Sequence, residues 1–141
     1  MIREVRYDNI LYAIILTRDH SKPGLEFFTG NSETLQMGYM KYPKDHRIVP
    51  HVHKKVKREV LYTLEAIFIK SGRVMVDLYT DKKELLGAEE LQAGDVILLT
   101  AGGHGFRFLE AGEMIEIKQG PYVSQDIDKE KFEHGHGALK S

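Results

Sequence analysis

Apolar residues in this chain come in short runs, and turn-forming clusters interrupt the runs before any of them reaches the length of a stable helix. Leu11 to Thr17 is rich in β-branched and aromatic residues and stops at Arg18-Asp19-His20-Ser21-Lys22-Pro23-Gly24. Leu25 to Thr29 and Thr34 to Tyr42 are the next strand candidates. In His46 to His53, Pro50 disfavours a helix. Lys54-Lys55-Val56-Lys57-Arg58-Glu59 reads as an exposed, solvated loop. Leu61 to Lys70 is again of strand type, ended by Ser71-Gly72, and Arg73 to Tyr79 alternates strictly, with Val74, Val76 and Leu78 facing one way. Glu84 to Leu91 fits a strand or a short helical turn. Val96 to Leu99 has the fully apolar character of a buried strand, and Met114 to Lys118 alternates once more. Turn signals roughly every eight to twelve residues point to an all-β sandwich or barrel.

Composition bounds the rest. A chain of 141 residues fits one domain, 1–141, with a core expected over about 34–122 and a polar tail over 123–141 that is irregular or carries a short helix. The formal charge of −1 gives no electrostatic reason to expect nucleic acid or an anionic membrane as partner. The absence of Cys removes disulfides, thiolate metal sites and a Cys nucleophile, and is compatible with the cytoplasm. The longest apolar run, Ile10 to Leu16, is far short of the roughly 20 residues of a membrane-spanning helix, so a soluble protein is expected.

The residues that carry chemistry are His51, His53, Glu65 and His104. In a strand, side chains two apart share a face, so His51 and His53 would present two imidazoles together. With a carboxylate and a third imidazole they form a nitrogen–oxygen set suited to one divalent metal such as Zn, Fe, Mn or Ni. Taken singly, each has a plainer reading. His-x-His arises by chance in a chain with seven His, and His104 lies in a glycine-rich turn. Glu65 is harder to dismiss, because an unpaired carboxylate in an apolar strand is costly. Gln36, Tyr62 and Glu116 are polar candidates for orienting such ligands. His46 and Lys118 read as surface residues, although Lys118 at the mouth of a site could meet an anionic substrate. His134 and His136 repeat the His-x-His spacing in the tail.

These residues resemble the two motifs of the cupins, small β-barrels of the double-stranded β-helix type. His51-Val52-His53 and Glu65 through Gly72 resemble the first motif, and Gly94-Asp95 through His104 the second. The departures are a longer gap between His53 and Glu65, Thr100 in place of the turn Pro, and His104 one residue early. The family's trailing Asn is also missing, with Phe108 in its neighbourhood. The long gap leaves Glu59 as an alternative carboxylate, although Glu65 lies at the expected distance from Gly72. The resemblance implies an all-β cupin barrel, one bound divalent metal held by His51, His53, Glu65 and His104, and a homodimer. It further implies an enzyme acting on a small polar metabolite, by isomerisation or epimerisation of a sugar-like or sugar-phosphate-like compound or by oxygenase chemistry. The rival is a non-catalytic, ligand-binding or sensory cupin.

Overall fold

The computed structural model describes residues 1–133. Ten strands form three sheets among them: β1 (Ile2–Tyr7), β2 (Ile10–Leu16), β3 (Gly24–Phe27), β4 (Gly38–Lys41), β5 (Glu65–Ser71), β6 (Arg73–Tyr79), β7 (Leu85–Gln92), β8 (Val96–Leu99), β9 (Gly103–Phe108) and β10 (Glu113–Lys118). The one-turn helix α1 (Gln125–Asp128) follows, with the Ser124 hydroxyl accepting from the Ile127 N–H as its cap. The first sheet has the order β1-β2-β8-β5-β10 and the second β7-β6-β9, while β3 and β4 form a separate hairpin. The fold is therefore all-β, as the runs predict. A closed barrel is not seen: β1 and β10 end one sheet, and β7 and β9 the other. Among the described residues no helix is long and apolar enough to cross a membrane.

Alternation places the core between the two large sheets. Ala13 and Ile15 of β2, Ile67 and Ile69 of β5, and Ile97 and Leu99 of β8 pack with Val74, Val76 and Leu78 of β6 and Leu91 of β7 in one cluster. The core thus draws on β2, well ahead of residue 34. Ile14 and Leu98, on the other face of the first sheet, are also fully buried.

One strand is added to those expected and one expected strand is absent. The charged stretch before residue 9 is the edge strand β1, joined to β2 through Asp8 and Asn9, both left-handed, with φ of 51° and 62°. Two left-handed residues match the twist of a tight hairpin, and Asp and Asn adopt that conformation more readily than most side chains. The strand expected over His46 to His53 does not form: no element lies between β4 and β5.

Two turns hold the frame. The Asp95 carboxylate is buried and accepts from the backbone N–H of Gln92 and of Arg18, each at 2.8 Å. That ties the turn before β8 to the end of β2. Gly102 has φ +67°, and a Cβ there would lie 2.1 Å from the Tyr79 carbonyl oxygen. Gly102→Ala is expected to cost about 1–3 kcal/mol or more, and Asp95→Ala about 1–3 kcal/mol for the buried N–H groups it orphans, both read from urea unfolding midpoints at an unchanged slope.

Candidate functional site

The strand registers bring a charged cluster to one end of the core. On β5, Glu65 shares its face with Ile67 and Ile69, so its side chain extends the row of core residues. It pairs across with Leu99 of β8 and Lys118 of β10, while Glu116 sits opposite Ile67. Glu116 and Lys118 therefore share the inner face with Glu65. From the second sheet, His104 of β9 stands opposite Leu78 and Phe106 opposite Val76, again on the inner face.

His104 and Glu65 meet across the two sheets, with His104 Nε2 donating to Glu65 Oε1. Glu65 is only 7% exposed. Burial by itself would raise the Glu65 carboxyl. Hydrogen bonds from His104 and Glu116, together with the charge of Lys118, outweigh it and hold Glu65 well below the usual carboxylate range. Glu116 is shifted the opposite way, first through its hydrogen bond to Glu65. The pair shares the burden unequally: the buried Glu65 is held low, and its more exposed neighbour Glu116 is raised. The cluster opens into a cleft of about 1530 Å³, lined also by Leu99, Phe106, Met114, Tyr122 and Phe132.

Of the four expected ligands, the structure brings two together and leaves two apart. Glu65 and His104 are in contact. His51 and His53 lie side by side, with ring centroids 5.3 Å apart, on the exposed segment before β5, where His51 Nδ1 lies 2.8 Å from the Val49 carbonyl oxygen. Neither lines the cleft, nor does Glu59, which is exposed on the same segment. Among the described residues no three His, Asp or Glu side chains stand at metal-ligand spacing, so a single chain in this arrangement does not supply the expected donor set. His134 and His136 lie outside the described residues.

Of the orienting candidates, Glu116 is in the cluster. Tyr62 is 78% exposed beside the cleft, and Gln36 braces its own loop through Thr29, Gly30 and Glu33. His46 stacks on Tyr42 at 3.8 Å. An ion pair not anticipated from the sequence, Arg107 donating twice to the buried Asp77 at 3.0 Å, lies on the other face of β6 and β9 and braces that sheet from outside the core.

Comparison with protein-family models, with curated proteins and with solved structures gives no match.

The opposed shifts of the two carboxyls give a pH signature. Glu65, depressed below its ordinary value of 4.5, stabilises the fold above that value, and its contribution is lost as pH falls through the depressed one. Glu116, raised above 4.5, stabilises below that value and loses its contribution as pH rises through the raised one. Glu116→Gln is expected to remove the falling limb of the stability–pH curve above 4.5 and to leave the low-pH limb. Glu65→Gln is expected to remove the low-pH limb and to cost about 1–3 kcal/mol at neutral pH. Urea midpoints measured across the acid range read both.

Proposed function

We propose that this chain is a cupin-type protein whose interior cleft holds a small polar, anionic metabolite and moves a proton on it, as isomerases and epimerases do. The observation that carries the reading is the contact between a buried carboxylate and an imidazole at the open end of the core. Glu65 fixes His104 with Nε2 protonated, which leaves Nδ1 as the proton acceptor. An imidazole oriented by a buried carboxylate is a suitable general base near neutral pH. His104, once it has taken the proton, returns it to the same or the neighbouring carbon, and Lys118, which shares the face of β10 with Glu116, supplies positive charge for an anionic group or a developing enolate. Phe106 and Met114 form apolar wall beside them.

Among the described residues His51 and His53 do not reach Glu65 and His104, so the proton transfer is assigned to the carboxylate–imidazole cluster. The chemistry it implies is abstraction of a C–H proton next to a carbonyl and its return to the same or the neighbouring carbon.

Incubation with a panel of aldose and ketose phosphates and hydroxy acids in D2O, followed by proton NMR, tests it. Loss of the signal for one C–H proton is expected with the native chain. His104→Ala is expected to slow the exchange by roughly 10²–10⁴-fold, and Lys118→Ala to raise KM more than it lowers kcat. Saturable binding without exchange would instead identify a ligand-holding, sensory protein.

A further inference from the structure

The chain beyond β10 walls the cleft without joining the sheets beneath it. The Gln119 N–H donates to the Leu64 carbonyl oxygen at 2.9 Å. After that bond, no backbone group of residues 120–133 bonds to backbone elsewhere in the chain among the described residues. No side chain of this stretch is buried, and only Ser124 and Phe132 are half-buried. Yet Tyr122, Ile127, Lys129 and Phe132 line the cleft together with Glu65 and His104.

Side chains alone hold this wall in place. The Thr63 hydroxyl donates to the Asp128 carboxylate, and Lys83, in the turn after β6, pairs with Glu130. Exposed polar contacts of this kind hold little. The wall also carries Asp126, Asp128, Glu130 and Glu133 against Lys129 and Lys131, so its own charge does not draw it onto Glu65 and Glu116. The remaining attachment is Phe132. Its ring stands edge-on to Tyr79, with centroids 5.0 Å apart, and lies against Gly103, where a Cβ would be 3.0 Å from Phe132 Cζ. The ring fits because position 103 has no side chain. Tyr79 and Gly103 are opposite each other on β6 and β9, and Gly103 directly precedes His104. The ring therefore rests on the strand pair that carries the imidazole. Segments without backbone bonds to the core are the first to open. The cleft, at about 1530 Å³, exceeds the roughly 300–1,000 Å³ usual for small-molecule sites, which leaves the wall room to move inward. Its inner side already acts on the cluster, since the charge of Lys129 opposes the rise of Glu116.

We propose that residues 120–133 are a gate that closes the cleft over its ligand, with Phe132 as the latch seated between Tyr79 and Gly103. The inference deepens the proposed function and rests on reading Glu65 and His104 as the working centre. Closed, the gate keeps water from the imidazole during proton transfer and adds Lys129 to Lys118 beside an anionic ligand. Open, it gives up only a ring contact and two exposed polar contacts, and the ligand can leave. A ligand that touches the gate makes those contacts in the closed form alone, and so favours closure.

Two measurements separate the gate from the chemistry. Because the chain has no Cys, Lys131→Cys places a single nitroxide on the gate beside its latch, and electron paramagnetic resonance reads its motion with no ligand present. A broad, immobilised spectrum is expected while Phe132 is in place. K131C/F132A and K131C/G103A, each folded by circular dichroism, are expected to lose the broad component and show the sharp lines of a mobile label. Sharp lines with Phe132 present would mean no latch, and broad lines in all three would mean a fixed wall; either overturns the gate. The proton-exchange assay in D2O reads the coupling to chemistry. Phe132→Ala is expected to lower kcat and raise KM together. Native kcat and KM in that variant would overturn the gate's part in the reaction. A native chain that exchanges no compound of the panel would remove the catalytic reading, and the line shapes would still decide the gate.

Discussion

The contact between Glu65 and His104 sets the terms for the rest of the molecule. Each large sheet is apolar on its inner face from Ile69 and Val74 to Leu99 and Leu78, and burial of those side chains holds the sheets together wherever they meet. At the row of Glu65 the pattern breaks: a carboxylate takes the place of an aliphatic residue and remains buried. Such a group is tolerated only with hydrogen-bond donors, and the donors come from both sides, His104 from the opposite sheet and Glu116 from the neighbouring strand. One polar interaction therefore fixes the separation of the sheets at the mouth of the core and defines where the core ends and the cleft begins. The same requirement orders the charges: His104, Glu116 and the charge of Lys118 hold the Glu65 carboxyl low, and Glu116 is raised by its neighbour.

The strands that build this cluster were legible because their side chains report their own environment. Val74, Val76 and Leu78 alternate with polar residues along β6, and Val96 to Leu99 is continuous and apolar along β8; both appear as strands with nearly the expected ends. Glu65 stood out for the same reason, as a charge within an apolar strand. β1 carries no apolar run that would mark it, because an edge strand with one face in solvent can hold Arg3, Glu4 and Arg6. The contact partner of Glu65 was not legible as such. His104 and Glu116 lie 39 and 51 residues further along the chain, and their meeting depends on the registers of β9 and β10, which no local pattern specifies.

The segment holding His51 and His53 is the instructive disagreement. The rings of His51 and His53 do lie side by side, although the segment that carries them is in no strand. A strand, however, exists only with a neighbour to complete its ladder, and a sequence does not state where that neighbour is. Val49 and Val52 have the β-branched character of a strand and yet are bare in a single chain.

His104 reaches the cluster despite two departures from the motif it resembles, the Thr at position 100 and the shortened approach to the His. The chain must cross from β8 in the first sheet to β9 in the second within residues 100–102, and rigidity at that crossing decides where the imidazole points. A Pro would supply it by fixing φ. Thr100 supplies it by hydrogen bonding: its hydroxyl donates to the Leu11 carbonyl oxygen at 2.7 Å and its N–H to that of Tyr12 at 3.0 Å, which pins the start of the crossing to β2. Gly102, left-handed and pressed against Tyr12 and the Tyr79 carbonyl, makes the turn tight enough for β9 to begin at Gly103. With both ends held, the crossing is short and fixed, and His104 emerges opposite Leu78 with its ring toward Glu65. The position of the site is therefore set by hydrogen bonds to a strand outside the expected core, and this ties β2 to the chemistry even though none of its residues carries any.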